Sequence, residues 1–417
     1  MEKNTKWFNE KWWISPFNYI DEVRNSFNLP KRVYVRDSTI REGEETPGVY
    51  YNLDQKIKIV EKLEEIGVEH IDCGYIGQVH DQWALANQIK ELGFKLKTYS
   101  HLSSNPSRWN DEIKKSLEAK LDYIGFGIVL TKWQLELFTK DQNITPEVMI
   151  SLIPSVLKRI KRFGGVAILD CVDATRAELD ILKKAIEKGI KFGAKMIMLY
   201  DTVGAANISA ISYLIKQLKT IVKDIPIGIH IHDDFGLGTA STLAAVEQGA
   251  TYMDLVVNKL GDRAGNTSFE EVIVALEMLY GVDTGINLSK LYNLSKFVEE
   301  VSGIPLPYNK PVVGRNTFLH ESELHVMSAL EKEKFWMCFT PYTPNIVGQE
   351  EQIIFGPTTL HGDAIRIKCA QMGFIDYEKY FNKIMERIQF TINKTKYITE
   401  KELEGIIINI IRSNSSK

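Results

Sequence analysis

Cysteine is scarce in this chain. Its 417 residues hold four, Cys73, Cys171, Cys338 and Cys369, far apart and none in a Cys-x-x-Cys arrangement. That excludes a disulfide framework and a thiolate zinc site, and it fits a reducing, cytoplasmic location. Long apolar runs are missing as well, since nothing approaches the ~20 residues a bilayer span needs. The longest candidate, Ile406 to Ile411, is broken by Asn409 and reads as a buried helix end. The opening stretch MEKNTKWFNEKWW has no apolar core of the secretory kind. Neither sign of charge dominates: 51 Lys and Arg stand against 54 Asp and Glu, and no long basic stripe occurs. Nucleic acid and anionic membrane are therefore excluded as partners, leaving small molecules and other protein chains. Absent too is a glycine-rich dinucleotide loop after the first strand candidate, where Arg41-Glu42-Gly43-Glu44-Glu45 stands instead.

What is present is a repeated unit of short β-rich run, polar turn and amphipathic helix. Strands are predicted at 33–37, 70–73, 97–100, 123–128, 166–171, 196–200, 228–232 and 253–257. Helices are predicted at 53–66, 82–92, 111–119, 146–163, 176–192, 209–222, 239–248 and 269–279. Eight β/α units in about 250 residues point to an α/β fold of the closed (β/α)8 barrel type, a TIM barrel. An aromatic arm, residues 1–30, precedes a barrel over 31–282. A lid and small helical subdomain follow over 283–417, ending in a helical pattern from Tyr377 to Ile411.

In such a barrel the C-terminal ends of all strands open onto one mouth, so residues distant in sequence meet there. The seventh strand ends in His230-Ile231-His232-Asp233-Asp234. Alternation along a strand puts His230, His232 and Asp234 on one side, which is how one strand offers two imidazoles to one metal ion. Histidines near strand ends are also commonly hydrogen-bonded without any metal. The first strand leads into Arg36-Asp37-Ser38-Thr39-Ile40-Arg41-Glu42-Gly43, placing a carboxylate and a guanidinium side by side at the rim. The eighth leads into a polar loop, Asn258 to Asn266. Glu42, His230 and His232, with Asn266 as a further candidate, make a two-imidazole, one-carboxylate set with positions open for substrate. Zn, Mn, Mg, Co or Fe suits it, and a non-haem iron oxygenase, which uses the same ligand set but typically on another fold, ranks below a Lewis-acid role.

Four motifs in order, Asp37 to Glu44, His230 to Gly238, Gly261 to Asn266 and His320 to His325, resemble those of the acyl-CoA-dependent Claisen synthases. These are the homocitrate, 2-isopropylmalate and citramalate synthases of the DRE-TIM metallolyase superfamily. The resemblance implies a divalent metal on Glu42, His230 and His232, with acetyl-CoA as co-substrate. It further implies that Arg41, Glu45, His101 and Thr202 bind a 2-oxo acid, that Arg41 and the lid residue His325 are catalytic, and that the lid comes from the partner of a homodimer. On spacing alone Thr202 is equally a turn or capping residue.

This sequence departs from the family pattern at five positions. Glu45 stands for Gln, Lys259 and Glu323 for Gly, Val172 for Glu and Phe339 for Tyr. A C–C lyase or aldolase of the same superfamily, or a non-catalytic regulatory homologue, are the alternatives. The Asn258–Asn266 loop holds no cysteine of the kind the hydroxymethylglutaryl-CoA lyase uses.

Overall fold

The computed structural model describes residues 5–76, 80–103, 107–139 and 144–415. Its centre is a closed barrel of eight parallel strands in sequential order. They are β1 (Tyr34–Asp37), β2 (His70–Asp72), β3 (Lys97–His101), β4 (Tyr123–Val129), β5 (Ala167–Val172), β6 (Ile197–Asp201), β7 (Ile227–Ile231) and β8 (Tyr252–Leu255). Each lies within two residues of its predicted span. The helices follow the predicted amphipathic stretches for the same reason: their apolar face is buried against the strands. In Leu53–Ile66, for example, Ile59, Val60, Leu63 and Ile66 are buried. That helix begins at a capping box of Asn52 and Gln55 and stops at Gly67, whose φ of 103° few other residues tolerate.

Beside the first strand stands an element for which the sequence predicts no helix. The rim after β1 is a helix, Thr39–Glu45. Asp37 starts it, its carboxylate accepting from the Thr39 amide and hydroxyl, both at 2.9 Å. Two turns are too short for periodicity to reveal, and the helix rests on burial of Ile40, Arg41 and Glu42.

Inside the barrel, register makes a polar layer. Arg36 pairs with Asp254, Asp254 with His230, and His230 with Tyr200 across four neighbouring strands. Gly125 of β4 makes room for a second polar group, because a Cβ there would collide with the Tyr99 hydroxyl and the Asp170 carboxylate.

The chain divides into two bodies, Pro16–Leu306 and Met1–Ser15 with Pro307–Lys417, which is not the 31–282 division expected from the end of the β/α rhythm. Residues before 31 and after 282 are tied to the barrel body by hydrogen bonds. The Tyr19 hydroxyl donates to the Met278 carbonyl at 2.7 Å, Arg24 to the Tyr280 carbonyl at 2.6 Å, and Asn258 Nδ2 to the Ser295 carbonyl at 2.8 Å.

The second body has a three-stranded sheet of β9 (Leu319–His320), β10 (Gln352–Phe355) and β11 (Ile398–Thr399), with β10 central. Its core holds Val326, Phe355, Ile365, Ile384, Ile388 and Ile407. Residues 5–15 belong here, with Trp13 donating to the Pro341 carbonyl and Thr343 to the Lys11 carbonyl, both at 2.9 Å. The single helical pattern expected from Tyr377 to Ile411 is two helices, Phe381–Thr395 and Glu400–Ser415, parted where Lys396 takes φ 74° and β11 joins the sheet. Glu323, found where the family has Gly, has a structural task. Its buried carboxylate accepts from the Ala364 amide at 2.6 Å, satisfying the first turn of Asp363–Gln371.

Candidate metal centre and barrel mouth

On the Thr39–Glu45 helix, Arg41 and Glu45 lie one turn apart and meet at 3.2 Å, while Glu42 turns to the two imidazoles. Glu42 Oε1 is 3.5 Å from His230 Nε2, and Oε2 is 4.0 Å from His232 Nε2. One donor atom from each residue lies within 4.8 Å of the others, and all three residues are buried.

The set fits a divalent ion in its chemistry as well as its spacing. His230 Nδ1 is 2.7 Å from the Asp254 carboxylate, an acceptor, so the proton sits on Nδ1 and the Nε2 lone pair faces Glu42. Asp254 also takes Arg36 and the Ser38 hydroxyl. Burial opposes its ionisation, yet Arg36 and His230 hold its carboxyl well below the usual range. Burial and the neighbouring His230 push the His232 imidazole down to about 4, so it is a neutral donor at pH 7. Burial would raise Glu42, but Arg41 beside it and the hydrogen bond from Asn266 act the other way, and its pKa is lowered on balance. Asn266 gives its Nδ2 to Glu42 at 3.0 Å and to the Leu260 carbonyl at 3.2 Å. Among the described residues, its buried Oδ1 and His232 Nδ1 have no partner.

Asp234 does not join the histidines as strand alternation suggested. β7 ends at Ile231, and beyond it Asp234 accepts from Arg263 at 2.9 and 3.1 Å. Lys259, another departure from the family pattern, takes φ 64° and pairs with Asp233.

Arg41, Glu42, Glu45, His101, Thr202, His230 and His232 all line one cavity of ≈ 430 Å³. Val172 is in its wall. Behind these residues runs a network of buried carboxylates. Asp72 takes Arg41 Nε at 2.7 Å and His101 Nε2 at 2.9 Å, and Asp170 takes His101 Nδ1 at 3.2 Å and the Tyr99 hydroxyl. Burial lowers the His101 pKa, but a carboxylate at each ring nitrogen wins and raises it, and each of those nitrogens has an acceptor to donate to. Thr202 Oγ1 accepts from the Asp173 amide at 3.0 Å, which leaves the hydroxyl proton to donate elsewhere.

The sequence reading did not single out Asp72, Asp170 and Asp254. Their signal was there, as ionisable residues inside predicted strands buried on both faces, which need a charged partner. His325 belongs to the second body, on the helix Glu323–Leu330, where its ring stacks on Phe339 at 4.2 Å.

A closed (β/α)8 barrel with a buried imidazole–carboxylate cluster at the C-terminal ends of its strands is the architecture of a barrel enzyme with a candidate metal centre. The chain belongs to the HMGL-like family, whose profile matches residues 32–298. It is similar to the homocitrate synthase AksA of Methanopyrus kandleri, with 32% identity over 96% of this chain and 98% of that one. It is also similar to the 2-isopropylmalate synthase of Methanocaldococcus jannaschii, with 33% identity over 95% of this chain and 75% of that one. Among solved structures, the hydroxymethylglutaryl-CoA lyase of Pseudomonas aeruginosa shares the fold, with a TM-score of 0.58 and 17% identity over 67% of this chain and 95% of that one.

Proposed function

We propose that this chain is an acyltransferase that condenses an acyl-CoA, acetyl-CoA first among them, with a 2-oxo acid, releasing CoA and leaving an alkylmalate- or homocitrate-type hydroxy acid. The observation that carries the reading is the Glu42–His230–His232 cluster, with His230 oriented by Asp254, in one cavity with an Arg41 whose Nη2 is buried and unpartnered among the described residues. The two synthase relatives, each matched over at least three quarters of its length, support it.

Glu42, His230 and His232 would hold a divalent ion, with Asn266 Oδ1 the further candidate. Such an ion supplies Lewis acidity toward a carbonyl oxygen. Arg41 Nη2 donates to the oxygens on which negative charge develops. Thr202 donates its free hydroxyl proton to the substrate carboxylate. His325 takes a proton from the acyl methyl group. Burial and His320 lower its pKa, which favours the neutral, basic imidazole. The resulting enolate carbon bonds to the 2-oxo carbon, whose oxygen is then protonated. Water cleaves the thioester C–S bond, leaving a carboxylate and the thiol of CoA.

Free thiol is expected from acetyl-CoA only when a 2-oxo acid and a divalent metal are both present, which a thiol-reactive dye measures directly. Release from no 2-oxo acid, together with cleavage of a hydroxy acid or its CoA thioester, would replace this reading with the lyase.

The lid carrying His325 is proposed to act at the barrel of a partner copy in a homodimer in the cytoplasm. Mixing inactive His325→Ala and Glu42→Ala proteins should then restore about a quarter of parent activity, since random exchange makes about half the dimers hybrids, each with one intact site. No recovery after demonstrated exchange would place His325 at its own barrel.

A further inference from the structure

Away from the cluster, the cavity is lined by alkyl and aromatic groups, Leu102, Val129, Phe138 and Val172, and by the carboxylates Glu45 and Asp170. Register arranges one wall of it. Val129 of β4 pairs with Val172 of β5, and two residues deeper Gly127 pairs with Asp170. Two branched alkyl side chains therefore stand side by side above a buried carboxylate.

The cations here are already engaged by the protein's own acids. Arg41 gives Nε to Asp72 at 2.7 Å and Nη1 to Glu42 and Glu45, which leaves Nη2. His101 is spanned by Asp72 and Asp170 at 2.9 and 3.2 Å. One open guanidinium edge, with the Thr202 hydroxyl and the metal ligands, suffices for the carboxylate and carbonyl end of a 2-oxo acid. A side chain extending from that end into the rest of the cavity would meet the Val129–Val172 wall, which lines the same space. A second carboxylate on that side chain would enter an apolar wall and face Asp170, whose Oδ1 is buried without a partner among the described residues, and Glu45 at the rim. Desolvation without a counter-charge and like-charge repulsion both act against it.

We propose that the site takes a 2-oxo acid with an uncharged aliphatic side chain and rejects dicarboxylic 2-oxo acids. This rests on the condensation reading above and names the substrate class of that same site.

The test uses the metal-loaded protein with pyruvate, 2-oxobutanoate, 3-methyl-2-oxobutanoate, oxaloacetate and 2-oxoglutarate. Binding is read by calorimetry without any acyl-CoA, and kcat/KM by thiol release from acetyl-CoA. At least one aliphatic acid is expected to bind more tightly than both dicarboxylic acids and to exceed them in kcat/KM by about 10²-fold or more. Preference for a dicarboxylic acid, or a gap below about tenfold, overturns the substrate class while the condensation stands. Aliphatic preference in binding with no thiol release overturns the condensation and keeps the substrate class. Binding of no 2-oxo acid overturns both. A Val172→Arg substitution, which sets a cation in the wall, should narrow the gap for 2-oxoglutarate by about tenfold or more. An unchanged ratio in a folded Val172→Arg protein would show that the substrate side chain does not meet this wall.

Discussion

A His230→Ala/His232→Ala protein purified without chelator is expected to hold almost no divalent metal, against about one ion per chain in the parent, as a three-ligand catalytic site implies. It is also expected to release no CoA. The two substitutions remove both nitrogen donors and leave Glu42, still held by Arg41 and Asn266, with the neutral Asn266 amide oxygen as the further candidate ligand. A single carboxylate with neutralising partners is a poor ligand, so the loss should approach completeness rather than a modest weakening. The barrel is expected to survive, because Asp254 keeps Arg36 and Ser38 when His230 is gone. Elemental analysis beside a thermal melt separates metal loss from unfolding. Equal metal content in parent and variant would end the metal-centre proposal.

Arg41→Ala is expected to lower kcat by about 10²–10³, the usual cost of removing one donor aimed at developing charge. Metal content should be retained, since Arg41 supplies no ligand atom to the cluster. The substitution also deprives the fully buried Asp72 of its guanidinium, leaving it only the His101 ring and Ser38 hydroxyl as side-chain partners among those described. Some stability is therefore lost as well, and the comparison belongs at a temperature well below the variant's melt. Arg41→Lys keeps the charge but cannot reach Asp72, Glu42 and Glu45 together while presenting a further N–H, so it should recover only part of the rate. A kcat within a factor of two of the parent in Arg41→Ala would show that its Nη2 does not face the reacting atoms.

The substitutions that set this chain apart from the family pattern divide by what surrounds them. Glu323 caps a helix in the second body and Lys259 pairs with Asp233, both tasks of local structure. Val172 and Glu45 instead line the cavity, and the substrate class proposed above rests on them. Phe339 stacks on His325 and brings no hydroxyl to that imidazole.

The barrel was legible in the sequence because parallel strands and their covering helices carry different hydrophobic periods, and eight alternations of the two leave few architectures. The His-x-His pair was legible too, since strand alternation alone puts two imidazoles on one side. Three things were decided only by the tertiary structure. The Thr39–Glu45 helix, which aims Arg41 and Glu42, is two turns long and held by burial rather than by propensity. The carboxylates at 72, 170 and 254 sit on three different strands, and only closure of the barrel brings them beside His101, Arg41 and His230. The inward side of the barrel wall, where Val129 stands beside Val172 and Gly127 beside Asp170, is set by strand register. Register is a relation between segments about forty residues apart, and a one-residue slip would turn each side chain to the opposite face.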